Sequence, residues 1–162
     1  MTYSNFSEHE KAVLKYLSDK YTDEHNSGMH SLNLILSKNQ IVTQNVFELG
    51  QRLKAKGVIK ESGYVAGNDY FAEINLLGIA IVNDMWFSMK LDDLVRNFVG
   101  SSNEFTSMNE ILGINNGVIQ RDLAEYLQKT GLFEFLYQDN VYVKLTSEGV
   151  QKLRESEAVW LP

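Results

Sequence analysis

The sequence predicts a mainly helical α+β fold built from two similar units in tandem, at residues 1–84 and 85–162. The first observation is an internal repeat, since LGQRLKAKGVI (residues 49–59) and LAEYLQKTGLF (residues 123–133) share one pattern: leucine, three residues, leucine, three residues, glycine and two apolar residues. Segments 31–40 and 69–82 recur in the same order at 106–115 and 140–153. The second observation is that each copy shows three helical patterns, two strand patterns and a closing helix.

The first two helices of the first unit are predicted from a cap and from apolar spacing. Ser7 and Glu10 stand in the spacing of a capping box, which favours a helix starting there. The apolar face of that helix consists of Val13, Leu14, Tyr16 and Leu17. A short second helix is indicated by Leu32, Leu34, Ile35 and Leu36.

A third helix is predicted from about residue 44 to 56, with Gly57 as the residue that stops it. We expect it to bury Val46, Leu49 and Leu53. Strands are predicted at residues 58–60 and 70–74, on either side of a turn that contains Gly63 and residues 67–69. The closing helix opens near Asn75 and carries Ile79 and Val82.

The second unit is predicted to follow the same order. Its helices are expected at residues 91–99, 107–112, 117–130 and 147–156, with Gly131 ending the third, and its strands at residues 132–137 and 141–145. The copies are offset by 74 residues before the hairpin and by 71 after it, which predicts a second hairpin shorter by three residues.

Composition excludes several functional classes. The chain has 162 residues, of which 44% are hydrophobic and 22% charged, as in ordinary globular proteins. The absence of cysteine excludes a disulfide framework, a thiolate metal site and a cysteine nucleophile, and it fits a cytoplasmic location. The amino terminus does not resemble a secretory signal, and the most apolar run, residues 79–82, is too short to cross a bilayer. We therefore expect no membrane partner.

No catalytic, cofactor or metal site is predicted. Glycine-rich dinucleotide and phosphate loops, the zinc-protease motif and the serine-hydrolase motif are all missing from the sequence. His25 and His30, with Asp23 and Glu24, are the one group of metal-binding residue types, and their spacing matches no common ligand pattern. We interpret residues 21–29 as a polar loop between helices, and the chain as a protein that is not an enzyme.

The order of elements resembles winged helix-turn-helix proteins of the MarR-like and related bacterial groups. The resemblance rests on the strand that runs into NLLGI (residues 75–79) or TSEGV (residues 146–150) before a closing helix, and it covers nearly the whole chain as a pattern. It implies DNA binding as the commonest role, with the third helix in the major groove and the hairpin, or wing, on the backbone. It also admits versions that bind other proteins.

Mapped onto the first unit, the resemblance implies a DNA-binding surface on the third helix. Amide side chains suit adenine and guanidinium suits guanine, while lysines suit phosphate. The candidates are Gln44, Asn45, Gln51, Arg52, Lys54, Lys56 and Lys60. They lie in a locally basic stretch of a chain whose net charge is −6. The alternative interpretation is an ordinary solvated helix face.

The hairpins and the second unit fit DNA less well. Neither wing, at residues 62–69 or 137–140, contains Lys or Arg. The third helix of the second unit is expected to expose a mixed set with two acids: Gln120, Arg121, Asp122, Glu125, Gln128 and Lys129. Residues 84–162 hold seven Lys and Arg against twelve Asp and Glu, and acids repel phosphate.

An apolar stripe is predicted where the units join. Its members are spaced three, four and three residues apart, as on one helical face: Ile79, Val82, Trp86 and Met89. The stripe either packs the two units together or forms a homodimer interface, for which Trp and Met are suitable anchors. The apolar tail at residues 158–162 is expected to dock either on its own chain or on a partner.

Two functions stay open from the sequence. One is a DNA-binding protein, a transcriptional regulator that reads duplex DNA with the third helix of the first unit. The other is a protein-interaction module that uses the acidic second half and the apolar stripe. The surface around Arg52 discriminates between them: an open patch with Lys54, Lys56 and Lys60 favours DNA, and neutralisation by acids such as Glu61 or Glu73 favours protein.

Overall fold

The computed structural model describes residues 1–42, 45–60, 64–98 and 102–160. The chain divides into two compact units, Met1–Trp86 and Phe87–Pro162. Within the described residues the fold is α+β and mainly helical, as predicted. Residues Gln44 and Gly63, named in the sequence interpretation, lie outside the described residues, as do Leu161 and Pro162 of the apolar tail.

Unit 1 begins with a single 3-10 turn at Tyr3–Asn5, followed by α1 (Glu8–Thr22), β1 (His30–Ser31) and α2 (Leu32–Lys38). Next come α3 (Val46–Ala55), the hairpin strands β2 (Tyr64–Ala66) and β3 (Asp69–Ala72), and α4 (Leu76–Val82). The three strands form an antiparallel sheet in the order β1-β3-β2, so β3 is central and β2 lies at an edge.

Unit 2 repeats this order. Its elements are α5 (Asp84–Phe98), which begins just before the unit boundary, β4 (Thr106–Ser107), α6 (Met108–Leu112), α7 (Gly117–Gln128), β5 (Phe133–Tyr137), β6 (Val141–Leu145) and α8 (Ser147–Trp160). Its antiparallel sheet has the equivalent order, β4-β6-β5. The two-residue strands β1 and β4, each just before a helix, were not predicted.

The predicted helix signals are confirmed at the atomic level. The Ser7 amide donates to the Glu10 carboxylate at 2.7 Å, and the Ser7 hydroxyl accepts from the Glu10 amide, which completes the capping box of α1. Gly57 and Gly131 follow α3 and α7 with φ of 68° and 72°, the left-handed conformation that glycine adopts without strain. Asn75 caps α4.

The core of unit 1 forms where α1, α2 and α3 pack around the central strand β3. Val46, Leu49 and Leu53 of α3 are buried, as predicted. A Cβ atom on Gly50 would lie 2.5 Å from the ring of Tyr70, so the glycine lets the tyrosine of β3 pack directly against α3. In unit 2, Ala124 and Val141 occupy the repeat-equivalent positions, a larger helix residue facing a smaller strand residue.

Two details of the helix predictions are wrong. Helix α5 starts at Asp84 rather than near residue 91, and α8 runs to Trp160 rather than ending near residue 156. Helix α4 ends at Val82 with the non-helical residue Asn83 after it, so Ile79 and Val82 lie on a different helix from Trp86 and Met89. The four apolar residues therefore do not form one continuous helical stripe.

Candidate functional site

The predicted DNA-binding residues of unit 1 lie on and beside α3. Asn45 is the N-cap, with its side-chain oxygen accepting from the Glu48 amide at 3.0 Å. Gln51, Arg52 and Lys54 are exposed along the helix. Lys56 is the C-cap residue and Lys60 is the last described residue before strand β2, and both are half-buried.

Most of the cations in this set are paired with carboxylates. The Arg52 guanidinium lies 2.9 Å from a Glu48 oxygen, one turn earlier on α3. The Lys60 ammonium lies 2.9 Å from a Glu73 oxygen. Lys54 has no ion pair within the part of the chain that the structure describes. The expected basic patch is therefore largely neutralised on the protein's own surface.

Lys56 belongs to the packing of unit 1. Its ammonium lies 2.8 Å from both Glu10 carboxylate oxygens and 4.5 Å from the centre of the Phe6 ring. The Glu10 side chain is only 3% exposed. Burial raises the pKa of Glu10, but the hydrogen bonds from Lys56 and from the Ser7 amide outweigh it, so the pKa is lowered overall. This pair joins the end of α3 to the start of α1.

The tip of the unit 1 hairpin carries an acidic residue, Asp69, which bonds the hairpin to α2. The Asp69 carboxylate accepts hydrogen bonds from the Ser31 hydroxyl, the Asn33 amide and the Tyr70 amide. The Asn33 side chain also donates to the Asn68 carbonyl oxygen at 3.2 Å. These bonds fix the tip of the hairpin beside the first turn of α2.

A groove of about 360 Å³ opens between this hairpin tip, the start of α2 and the start of α3. Phe47 and Val65, which are 49% and 42% exposed, form apolar walls. The Phe47 ring meets the buried Tyr70 ring edge-on, with centroids 6.2 Å apart, so Tyr70 supports this wall. The lining consists of Asn33, Asn45, Val46, Phe47, Val65, Gly67, Asn68 and Asp69.

The repeat-equivalent region of unit 2 contains a side chain that has no counterpart in unit 1. Gln120, expected on the exposed face of α7, is instead fully buried. Its side-chain amide donates to the Ile114 carbonyl oxygen at 2.6 Å, and its oxygen accepts from the Val141 amide at 3.0 Å. Gln120 aligns with Val46 in the repeat, a buried position, and that alignment was the signal for its burial.

His30 lies beside Tyr16 of α1, near Lys20 and Lys38. Within the described residues, no group of three or more potential metal-binding side chains comes together. The His30 ring meets the Tyr16 ring edge-on, and its buried Nε2 has no hydrogen-bond partner. Burial lowers the pKa of His30, with Lys20 adding to that effect.

The residues predicted at the junction have different surroundings. Ile79 and Trp86 are buried, and the Trp86 ring packs edge-on against Tyr21 of α1 with centroids 5.7 Å apart. Val82 is half-buried. Met89, in contrast, is 56% exposed. Trp86 is therefore part of the packing of unit 1, while a homodimer interface at these residues stays a prediction.

No protein-family model matches this chain, and no curated protein or solved structure shows significant similarity to it. Among the described residues, no helix combines the length and the apolar character that a bilayer-spanning segment requires. The function must therefore be argued from the geometry above.

Proposed function

We propose that the chain is a tandem winged-helix protein whose function is to bind another protein. The order of elements in each unit supports the winged-helix assignment, with α3 and α7 as the third helices and the β2–β3 and β5–β6 hairpins as wings. On this proposal the winged-helix frame presents a recognition surface, and the chain carries out no reaction.

The observation that carries the protein-binding proposal is the pairing of the cations around α3. A surface that binds DNA gains its affinity by exchanging counterions for Lys and Arg at phosphates. Here Arg52, Lys56 and Lys60 already face Glu48, Glu10 and Glu73 at 2.8–2.9 Å. A phosphate approaching this surface would have to compete with these carboxylates, and the hairpin tip brings Asp69 rather than a base.

Exposed apolar side chains at the start of α3 and on the wing support a protein partner. Phe47 lies one turn before the exposed Gln51 on α3, and Val65 lies on the wing. Apolar and aromatic side chains are typical anchors at protein–protein interfaces, where buried charged groups are few.

The test is binding of the purified chain to random-sequence duplex DNA over a salt series, measured by fluorescence anisotropy, alongside crosslinking and affinity capture of protein partners. We expect no DNA binding at low salt and a partner that remains bound at moderate salt. Affinity for DNA that falls steeply with salt, together with no captured protein, would overturn the proposal.

Duplex DNA is the second candidate, favoured by the exposed side chains of Gln51, Arg52 and Lys54 on one helix. The Arg52–Glu48 pair is an exposed pair one turn apart, worth about 0.5 kcal/mol, and a phosphate could displace it at low cost. If this candidate is correct, Arg52→Ala weakens DNA binding and relaxes base preference. Unchanged binding by that variant would exclude it.

A further inference from the structure

Asn116, the N-cap of α7, is followed directly by a glycine, and Asn116–Gly117 is the one Asn-Gly pair in the sequence. In such a pair the backbone nitrogen of the glycine can attack the asparagine Cγ, because no side chain on the glycine shields it. The bond from Cγ to the side-chain NH₂ breaks, this group leaves as ammonia with the proton of the glycine amide, and a succinimide ring forms. Water then opens the ring at either carbonyl and gives aspartate or isoaspartate.

Gly117 is not required by the fold of unit 2. Gly113 and Gly131 have φ of 65° and 72°, whereas Gly117 does not have a positive φ. A Cβ atom on Gly117 would meet nothing within 4 Å. Since neither the backbone nor the packing depends on this glycine, its replacement by alanine changes the reactivity of Asn116 without a clash.

The folded chain holds Asn116 in an unreactive conformation. Its ψ of 108° turns the Gly117 nitrogen away from the Asn116 Cβ, and therefore away from Cγ. The Asn116 side-chain oxygen accepts from the Val118 amide at 3.0 Å and from the Ile119 amide at 3.2 Å. Its backbone carbonyl accepts from the Gln120 amide at 3.0 Å, and rotating the nitrogen toward Cγ would turn this carbonyl away. The attack therefore requires the first turn of α7 to open.

The Gln120 side chain stabilises this turn in its closed form. It donates to the Ile114 carbonyl oxygen ahead of the helix at 2.6 Å and accepts from the Val141 amide of β6 at 3.0 Å. The free energy of a local opening depends on the bonds and the packing that the opening breaks. The Gln120 bridge therefore lowers the fraction of time for which Asn116 can react.

The asparagine caps of unit 1 provide an internal comparison. Asn45 and Asn75 cap α3 and α4, and the side-chain oxygen of each accepts from a backbone amide of the first turn at 3.0 Å. The residues that follow them are Val46 and Leu76, whose side chains crowd the backbone nitrogen that would attack. The three caps are alike in structure and differ in the residue that controls this reaction.

We infer that Asn116 is a deamidation site, that its reaction requires opening of the first turn of α7, and that the Gln120 bridge slows it. This inference does not depend on which partner the chain binds. An aspartate product keeps an oxygen for the cap and adds a negative charge that the start of a helix favours. An isoaspartate product carries the main chain through Cβ, which lengthens the backbone at the cap and leaves the first turn of α7 open.

Peptide mapping by mass spectrometry, after incubation of the full chain in mildly alkaline buffer, tests the inference. Deamidation of Asn116 is followed with time in the native chain and in guanidinium chloride, with Asn45 as the internal reference. Synthetic peptides identify the aspartate and isoaspartate products by their elution. We expect Asn116 to react at least about tenfold faster in denaturant than in the native chain, because the native turn must first open. In denaturant Gly117→Ala should slow the reaction about tenfold.

A variant of the bridge provides a second test. In native buffer Gln120→Leu should speed deamidation of Asn116 at least about threefold, since it removes two buried hydrogen bonds. Gln128→Leu, at the exposed end of the same helix, should leave the rate unchanged. A folded Gln120→Leu chain that reacts at the wild-type rate would overturn the role of the bridge.

The comparison of native and denatured wild type needs no variant, so it tests the inference even if Gln120→Leu does not fold. Equal rates at Asn116 in the native and denatured chain would overturn the control by α7. A rate at Asn116 no higher than the rate at Asn45 in denaturant would overturn the site itself.

Discussion

The side-chain amide of Asn75 donates a hydrogen bond of 2.8 Å to the carbonyl oxygen of Gly57. In unit 2 the hydroxyl of Thr146 donates to the carbonyl oxygen of Gly131, also at 2.8 Å. In both units, therefore, the residue at the start of the closing helix holds the glycine that ends the third helix. An amide in one unit and a hydroxyl in the other form the same bond, which indicates that the backbone geometry is the conserved part of the repeat.

A related contact predicts the effect of a methyl group at Gly149. A Cβ atom there would clash with the backbone carbonyl of Leu132, which cannot move without shifting the strand, so Gly149→Ala should destabilise the chain by about 1–3 kcal/mol. Gly117→Ala is the control, because a Cβ at Gly117 meets nothing, and we expect it to stay within about 1 kcal/mol of the wild type. Urea unfolding measures both, and equal stabilities would contradict the prediction.

Gln120 should contribute strongly to the stability of unit 2. Gln120→Leu leaves the buried Val141 amide and the Ile114 carbonyl without these partners, at a cost of about 1–3 kcal/mol. Gln128→Leu, on the exposed end of the same helix, serves as the control and should be nearly neutral. Hydrogen exchange at the Val141 amide provides a local readout, and unchanged protection in Gln120→Leu would argue against this role.

The Lys56–Glu10 pair should contribute far more to the free energy of unfolding than the neighbouring Lys54 does. Lys56→Met removes the ammonium from the buried Glu10 carboxylate, which keeps only the Ser7 amide and the Arg52 guanidinium at 3.9 Å, and we expect a loss of about 1–3 kcal/mol, whereas Lys54→Met should have little effect. The Glu10 pKa is lowered in the folded chain, so the stabilisation is complete above the ordinary value of 4.5 and is lost as the pH falls through the folded value below it. Urea unfolding from pH 7 to pH 3 measures the effect, and a Lys56→Met variant as stable as Lys54→Met would contradict it.

His30 should make unit 1 less stable as the pH falls from about 7 to 5. The unfolded chain takes up the proton near the ordinary pKa of 6.5, but the folded chain takes it up only at lower pH, so protonation favours unfolding. Lys20 and Lys38 strengthen the effect, while Glu24 and Glu73 oppose it. His30→Phe should flatten the pH dependence of the unfolding free energy in this range.

The control for the His30 experiment is His25→Asn. His25 lies in the loop after α1 with a φ of 50°, a conformation that asparagine adopts more readily than most residues. We expect this variant to keep the pH dependence of the wild type. A His30→Phe variant that also keeps it would show that His30 does not cause the loss of stability.

The parts of the fold that depend on neighbouring residues could be predicted from the sequence. The capping box at Ser7, the glycines at the ends of α3 and α7 and the cap at Asn75 are all signals contained in a few adjacent positions. Strands β1 and β4 could not be predicted, because two residues carry no periodic pattern and their pairing with β3 and β6 depends on the folded chain.

The candidate site was less predictable because it depends on residues far apart in the sequence. Lys56 and Glu10 are separated by 46 positions, so nothing in the local sequence indicated that this lysine is paired. The groove likewise requires α2, α3 and the hairpin tip to come together. Gln120 is the exception, because its alignment with Val46 already pointed to burial.

The close approach of the closing helices to the preceding strands has a consequence for protein engineering. In each unit a buried glycine of the closing helix follows the exposed glycine that ends the third helix, 21 residues later in unit 1 (Gly57 to Gly78) and 18 residues later in unit 2 (Gly131 to Gly149). The hairpin between them absorbs the whole difference. The tip of the unit 1 hairpin is bonded to α2, so the exposed tip of the unit 2 hairpin, at Asp139, is where we expect an inserted affinity tag or foreign loop to disturb the helices least.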